Sequence, residues 1–362
     1  MSMSITVLST PNQTLDLTGQ HGDTAVAYGD GDIIDSGKSN YATNTLSGSN
    51  NTIYLSGPNE TFISGSGYDA GHDQVAVYGD GDTVKISNGN VTTFGHGETV
   101  NAFDFGKADA FFPLGQVNVA AQGDSSVFFT GAGAGISFIG GSGFSVVLGG
   151  TATRTEINGG QGGGVFVGGE NSQEISPGTL WSASNTIVAG AQKSTLYGSN
   201  HGNNTLIAVG NAGDGLVGGE NAVNVLTAAG STGNNYMEAH QGAYAPSTDF
   251  KNPTPSTVMT GGAGNDAMVA GSGYNEMHAG TGVDTFLVIN SAINQVGGGN
   301  QIMIDSFKQG TDHVDLVGYS GSTDMLLSTA QHANGGTQLQ LSDGAHLNVA
   351  GVNLTSNDIW RQ

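Results

Sequence analysis

Short repeats run along most of this sequence, and they restrict the fold more than any other feature. Each repeat is an Asn, Asp or Glu, usually a Thr, a few strand-forming residues and then a glycine. The steps from Thr45 to Thr52 and from Thr52 to Thr61 are 7 and 9 residues. Such a unit is too short for a helix plus a strand, and a single strand with a turn buries an apolar face only by stacking on its neighbours. The spacing therefore predicts an all-β fold, a parallel β-solenoid of the β-helix or β-roll kind.

The residue types of the repeats agree with this prediction. Thr and β-branched residues favour the pleated surface of a strand, while Gly and Asn tolerate the positive φ angles of sharp corners. Of 362 residues, 62 are Gly and 7 are Pro. This is below the share of roughly 25–30% that is typical of disordered chains rich in Gly and Pro. We therefore expect a folded chain.

Acidic residues are in large excess. The sequence has 30 Asp and Glu against 8 Lys and Arg, for a formal net charge of −22. A chain of this charge is repelled by phosphate backbones, so nucleic acid is excluded as a partner. Acidic side chains also repel one another in a folded protein unless cations neutralise part of the charge. The charge therefore indicates either a polyvalent metal held by oxygen ligands or a solvated acidic surface.

Cysteine is absent, which excludes disulfides, thiolate catalysis and Cys-ligated zinc. The first residues, Met1 to Gln13, lack the positive start and the apolar core of an ordinary signal peptide. No apolar run reaches the roughly 18 residues that span a membrane as a helix, so we expect no transmembrane segment. Export of this chain would need another signal.

From Gly261 onward the repeat becomes a regular nonapeptide. Three units follow one another with a period of nine, over residues 261–269, 270–278 and 279–287. They resemble the nonapeptide of RTX (repeats-in-toxin) proteins, Gly-Gly-x-Gly-x-Asp-x-hydrophobic-x, whose first half turns and whose second half is a strand. In that family alternate repeats lie on the same side of a parallel β-roll. The resemblance therefore implies that the first and third units share a side.

The same resemblance implies a calcium site. Asp266 and Asp284 are 18 residues apart, as two units on one side require. Calcium takes six to eight oxygen ligands, and turns that expose carbonyls beside a carboxylate supply them. The implied ligands of one ion are two carboxylates and four nearby backbone carbonyls: those of Asp266 and Asp284, and those of Gly262, Gly264, Gly280 and Gly282. A metal-free Gly/Asp turn is the alternative.

The middle unit departs from the family pattern. It has Asn275 where the family has Asp, and Ala270 at the first Gly. An ion on that side would be bound weakly or not at all, although Asn275 remains a candidate ligand. Downstream, Asp305 precedes a segment similar to the one that closes RTX rolls, and it is either a further calcium ligand or part of a charged turn that caps the last coil. One or two good sites are expected.

The C-terminal part of the sequence predicts a cap. Residues 337–341 and 347–349 alternate in polarity on either side of an Asp-Gly turn, which is a strong hairpin signal. The ending, Leu354 to Trp360, is similar to the uncleaved C-terminal signal of type I secretion substrates. The resemblance covers about Gly261 to Gln362 and implies a secreted protein, extracellular or at the cell surface, that folds when it meets calcium outside the cell.

Five segments follow from these patterns. Prolines interrupt the repeats in one of them, which indicates a surface loop. The predicted segments are an N-terminal β-solenoid over 1–104, a glycine-rich central β-solenoid over 105–242, a proline-containing loop over 243–258, an RTX-like calcium β-roll over 259–300, and a C-terminal cap with the secretion signal over 301–362.

Catalytic signatures are sparse, and we expect that the protein is not an enzyme. The 8 Lys and Arg are scattered singly, which disfavours a lyase that works on acidic sugars. His-Glu-x-x-His and Gly-x-Ser-x-Gly motifs do not occur. The acidic pair Asp30 and Asp32 could do acid/base chemistry, but a Gly-Asp-Gly-Asp turn is better explained as a solvated or calcium-binding corner.

These observations predict a structural protein of the bacterial surface or extracellular matrix: a surface-layer, filament or adhesin subunit that self-associates when calcium is bound. The partner is then another copy, as a homo-oligomer, filament or lattice, with a surface polysaccharide as a further candidate. The alternatives are a noncatalytic carbohydrate-binding module of a polysaccharide-active system or, less favoured, a polysaccharide lyase or epimerase. Exposed aromatic residues in a row, such as Tyr28, Tyr54 and Tyr78, would favour glycan binding.

Overall fold

A computed structural model of the protein describes part of the chain continuously and part of it in short stretches. Between residues 5 and 176 it describes the strands and some turn residues beside them. The continuous ranges are 184–200, 202–240, 256–290, 300–333 and 335–362. Most of the predicted proline-containing loop, residues 243–255, and Tyr28 lie outside the described residues.

The chain divides into two compact units, residues 1–172 (unit one) and residues 173–362 (unit two). Both consist of short strands. In unit one the described strands are β1 (Ile5–Leu8), β2 (Thr14–Asp16), β3 (Thr24–Ala27), β4 (Ile33–Asp35), β5 (Thr43–Leu46), β6 (Thr52–Leu55), β7 (Thr61–Ser64), β8 (Asp73–Val77), β9 (Thr83–Ile86), β10 (Gly89–Thr93), β11 (Glu98–Asp104), β12 (Ala108–Phe111), β13 (Val117–Gly123), β14 (Ser126–Thr130), β15 (Ile136–Ile139), β16 (Ser145–Leu148), β17 (Thr155–Asn158) and β18 (Gly164–Val167).

Unit two continues the strand numbering and adds one described helix. Its elements are β19 (Glu174–Ser176), β20 (Asn185–Val188), β21 (Thr195–Tyr197), β22 (Asn203–Gly210), β23 (Gly215–Val217), β24 (Val223–Ser231), β25 (Tyr236–Glu238), β26 (Ser256–Thr260), β27 (Ala267–Val269), β28 (Tyr274–His278), β29 (Thr285–Ile289), β30 (Gln301–Asp305), β31 (His313–Val317), α1 (Thr323–Ser328), β32 (Gln331–Ala333), β33 (Gly336–Gln340), β34 (His346–Val349) and β35 (Ile359–Arg361).

Within unit one, alternate strands pair in parallel. Odd-numbered strands form one sheet and even-numbered strands form the other, so each coil of the chain gives one strand to each sheet. Ile53 pairs with Val75 in one sheet and Phe62 with Val84 in the other. All four side chains are at most 2% exposed. Stacking of short strands thus builds the core.

Unit two has the same plan. Thr195 lies opposite Gly215, and Ala267 lies opposite Thr285. Two columns of apolar side chains, one from each sheet, fill the interior and are at most 4% exposed. They are Leu196, Leu216, Met237, Met268, Phe286, Val314 and Ile359 from the odd-numbered strands, and Leu206, Leu226, Met259, Met277, Ile304 and Val349 from the even-numbered strands. The predicted parallel β-solenoid is confirmed.

The predicted C-terminal hairpin is also confirmed. Strands β33 and β34 pair antiparallel, and β34 pairs in parallel with β30, so the hairpin adds to the even-numbered sheet. Gly344 in the connecting turn has a φ of 85°, which an Asp-Gly turn accommodates. The odd-numbered sheet ends with β35, which pairs with β31.

Helix α1 precedes the hairpin. It begins at the N-cap Ser322, whose Oγ accepts a hydrogen bond from the Met325 N–H at 3.2 Å, and it buries none of its side chains. None of the helices in the described ranges is long and apolar enough to cross a membrane.

Candidate metal centre

A column of polar residues stands at one corner of unit two. Each member directly precedes an odd-numbered strand, and because those strands are in register, the members lie one above another in successive coils. All are at most 3% exposed. We call this set the aspartate column: Ser194, Asp214, Asn235, Asp266, Asp284 and Asp312.

Hydrogen bonds connect the aspartate column along its length. The backbone N–H of each member donates to a side-chain oxygen of the member in the next coil. The distances are 2.8 Å from Ser194 to Asp214, 3.0 Å from Asp214 to Asn235, 2.8 Å from Asn235 to Asp266, 2.9 Å from Asp266 to Asp284 and 3.0 Å from Asp284 to Asp312. A buried carboxylate needs such donors, and here they also fix the register of the coils.

The second carboxylate oxygen bonds to its own turn. Oδ2 of Asp266 accepts the N–H of Gly262 at 2.6 Å, and Oδ2 of Asp284 accepts the N–H of Gly280 at 2.7 Å. The structure therefore places the two predicted calcium ligands at the same corner of neighbouring coils, each bonded to its own turn.

The four glycines named with these aspartates lie in the same two turns. The carbonyl of Gly262 accepts the N–H of Thr281 at 2.8 Å. A Cβ on Gly280 would overlap the carbonyl oxygen of Gly262, and one on Gly282 would overlap that of Gly264. Glycine is required here because the two turns are in direct backbone contact, which brings carbonyl oxygens to the corner where the aspartates lie.

Asn275 lies apart from this corner. It belongs to a second column on the even-numbered strands, formed by Asn185, Asn204, Asn224, Thr257 and Asn275. Its amide donates to the carbonyl of Gly271 at 3.0 Å, and its Oδ1 accepts the N–H of the same residue at 3.1 Å. The amide closes its own turn with bonds that a carboxylate alone could not make, because a carboxylate has no donor.

Asp305 is also separate from Asp266 and Asp284. It ends β30, in the even-numbered sheet, opposite His278 of β28. Its Oδ1 accepts the N–H of Ser306 at 2.7 Å, and its Oδ2 is 3.7 Å from Nδ1 of His278. The other ring nitrogen of His278 is 3.1 Å from a carboxylate oxygen of Glu276. Asp305 thus belongs to a half-exposed surface cluster.

Two aspartates of the aspartate column have raised pKa values. Burial raises the pKa of Asp284, and the charges of Asp266 and Asp312 raise it further, against the lowering by the N–H groups that Asp284 accepts. Burial likewise raises the pKa of Asp214. A line of buried, mutually repelling carboxylates is a place where a cation lowers the free energy.

The donor chemistry of this corner fits an oxygen-ligated cation. Within the described ranges, no group of three or more His, Cys, Asp or Glu side chains could hold a metal, so an ion at this corner would take backbone carbonyls as well. Each ionised carboxylate has about four acceptor positions. Asp284 uses two of them for N–H groups, and Asp266 uses three. Hard oxygens with free lone pairs are the ligands that calcium prefers.

Four members of the aspartate column were not predicted from the sequence: Ser194, Asp214, Asn235 and Asp312. The available signal was a polar residue directly before a strand with glycine in the preceding turn, as in Gly213-Asp214 and Gly310-Thr311-Asp312. Unequal coil lengths hide this signal, because the polar residues do not recur at a fixed interval in the sequence. Asn235 bonds to Asp266 across 31 residues, whereas Asp266 bonds to Asp284 across 18.

Comparison with known proteins assigns no family to this chain. No protein-family model matches the sequence, and no curated protein matches it. Among solved structures, the extracellular lipase LipA from Serratia marcescens is similar with a TM-score of 0.20 and 14% identity, over 51% of this chain and 41% of the lipase chain. The match thus spans less than half the length of that lipase.

This comparison contradicts the expectation that the protein is not an enzyme, because the similar structure is that of an enzyme. A likeness at this TM-score assigns neither an activity nor a substrate to this chain.

Proposed function

We propose that this protein is a secreted, calcium-binding β-solenoid of the bacterial cell surface or extracellular matrix, where copies associate into a surface layer, a filament or an adhesive structure. The observation that carries the proposal is the aspartate column of unit two. Four of its six buried members are aspartates, in a chain of net charge −22, and a cation beside buried carboxylates would offset their mutual repulsion.

The metal would be held between two neighbouring coils. Asp266 and Asp284 would supply carboxylate oxygens, and the turns at Gly262 to Gly264 and Gly280 to Gly282 would supply carbonyls. The bound ion contributes charge neutralisation. The chain's own residues fix the register of the coils through the N–H bonds to each carboxylate, so metal binding and stacking support each other.

A secreted location agrees with this metal requirement. Calcium is scarce inside cells and abundant outside, so a chain whose folding depends on calcium would fold after export. The similarity of the C-terminal segment to type I secretion signals supports that route.

The outer faces of the sheets supply surfaces for association. In unit two, Val223 and Val225 of the even-numbered sheet are 39% and 38% exposed, and Tyr197 and Tyr236 of the odd-numbered sheet are 38% and 43% exposed. Apolar and aromatic side chains on flat faces favour contact with another protein surface.

Light scattering of the full chain tests this function. We expect association in calcium and dissociation when a chelator is added. Asp284→Asn should weaken the calcium response, because it removes a charged ligand from the centre. Asp324→Asn, at an exposed aspartate of helix α1, is the matched control and should respond like the wild type. Equal scattering with and without calcium would refute calcium-dependent association.

A carbohydrate-binding role is the second candidate. Tyr54 of β6 and Tyr78, the residue directly after the neighbouring strand β8, are 36% and 52% exposed, and exposed aromatic rings stack on sugars. We expect Tyr78→Ala to reduce retention of the protein on immobilised polysaccharide. Retention that is absent in the wild type would remove this candidate.

A further inference from the structure

The outer face of the even-numbered sheet in unit two consists of β-branched residues over four strands, β20, β22, β24 and β26. Side chains along each strand point alternately to the interior and to this face. Pairing in register places the outward side chains in two columns. The first column is Thr186, Thr205, Val225 and Val258. The second column is Val188, Ile207, Thr227 and Thr260. We call these two columns the neutral face.

Charged groups begin where the neutral face ends. Among the described residues, no charged side chain points outward from these four strands. In the next strand of the same sheet, β28, Glu276 lies opposite Val258. His278 lies opposite Thr260, and Asp305 of β30 lies opposite His278. An uncharged face is notable in a chain that has 30 Asp and Glu against 8 Lys and Arg.

The neutral face is widest at its centre. Strands β22 and β24 have 8 and 9 residues, whereas β20 and β26 have 4 and 5. Val223 and Val225 of β24 both point outward and are 39% and 38% exposed. Neighbouring strands lie about 4.8 Å apart, so the face is about 15 Å long from β20 to β26. Exposed apolar side chains on such a face favour contact with another protein surface.

The side chains of the neutral face suit contact with a second sheet. Two sheets pack face to face when their side chains interdigitate. β-branched side chains have few rotamers, so they lose little conformational freedom when they become buried. A sugar-binding face would instead present aromatic rings, and the described outward residues of these four strands include none.

The charge of the chain favours a second copy as the partner on this face. Two copies with a net charge of −22 repel each other, and like charges placed together in a contact weaken it further. The outer face of the odd-numbered sheet has such a charge in Glu238, whose carboxylate accepts a hydrogen bond from the hydroxyl of Tyr236 at 2.7 Å. Two neutral faces can approach each other without bringing carboxylates together.

The charged residues beside the neutral face also favour one direction of pairing. If the two copies ran parallel, Glu276 and Asp305 of one copy would lie near the same residues of the other. An antiparallel arrangement with a two-fold axis between β22 and β24 places β20 of one copy against β26 of the other. The charged clusters then lie at opposite ends of the contact, where they repel each other least.

We propose that two copies of this chain associate through their neutral faces, packed face to face and antiparallel. This inference rests on the self-association in the proposed function. It adds the surface through which the copies meet and the direction in which they pair.

Sedimentation velocity of the full chain over a concentration series, with and without calcium, tests the surface. Val225→Glu places a carboxylate at the centre of the neutral face, and we expect the dissociation constant to rise at least about tenfold. Val225→Thr keeps the shape of the side chain without a charge and should associate like the wild type. Tyr197→Glu, at a residue of the odd-numbered sheet that is 38% exposed, is the control on the other face and should also associate like the wild type.

Single cysteines test the direction of pairing, because the natural chain has none. Under mild oxidation, we expect a mixture of Thr186→Cys and Val258→Cys to form disulfide-linked dimers that contain one copy of each, as identified by mass spectrometry. Val258→Cys alone should stay monomeric on a denaturing gel. Efficient crosslinking of Val258→Cys alone would overturn the antiparallel direction.

The outcomes separate this inference from the proposed function. Association of Val225→Glu that equals that of the wild type would overturn the neutral face as the contact. Association that is lost in Val225→Glu but needs no calcium would support the neutral face and refute the calcium dependence of the proposed function. A wild type that stays monomeric at all concentrations would overturn the second copy as the partner, together with the proposed association.

Discussion

At the scale of single residues, each buried aspartate of the column connects two coils. One oxygen accepts an N–H from the coil before it and the other accepts an N–H of its own turn, as in Asp284. The pairing of Asp266 with Asp284 was predictable, because two nonapeptides make one full coil. The membership of Asp312 was not, because 28 residues separate it from Asp284 and no period connects them.

Asp214 gives a pH-dependent test of this burial. Burial raises its pKa above the ordinary value of 3.8, although hydrogen bonds from Ser194 and Val209 lower it. The folded state therefore binds the proton more tightly than the unfolded state. The resulting stabilisation is complete below pH 3.8 and is lost as the pH rises through the pKa of the folded state.

Asp214→Asn should remove this dependence, because the amide is neutral and its oxygen still accepts the N–H of Ser194. Measured without metal, we expect the Tm of the variant to rise relative to that of the wild type between about pH 4 and pH 7. Parallel Tm profiles for the two proteins would show that Asp214 carries no buried charge.

At the scale of elements, the period of the repeats predicted the strands and the alternation of two sheets. It could not predict helix α1, whose six residues are too few for a helical pattern and bury no apolar face. The period of the repeats also did not show which glycines are needed for close contact between successive turns. The contact between successive turns answers that question for Gly280, since its Cα faces the carbonyl oxygen of Gly262.

Gly280→Ala tests this close stacking. The added methyl group must push two turns of the backbone apart, and we expect a loss of about 1–3 kcal/mol in the free energy of unfolding. Gly230→Ala is the control, because its Cβ would meet nothing within 4 Å, and it should change stability by less than about 0.5 kcal/mol. Urea unfolding measures both, and equal effects would argue against direct contact between the turns.

At the scale of the whole molecule, a strongly acidic chain folds into stacked coils. The net charge of −22 opposes folding, and the sequence indicated either a polyvalent cation that offsets it or a solvated acidic surface. The surroundings of each carboxylate depend on contacts between residues far apart in the chain, such as Asn235 with Asp266. Sequence patterns do not reveal such contacts, because the contacts form only when the coils stack.

The position of the metal in crystals of the full chain grown with calcium tests the central claim most directly. Anomalous scattering locates the ion without assumptions about its ligands. We expect a peak at this corner, roughly 2.3–2.6 Å from carboxylate oxygens of Asp266 and Asp284. A map without a peak between Asp266 and Asp284, from crystals of the folded protein, would contradict it.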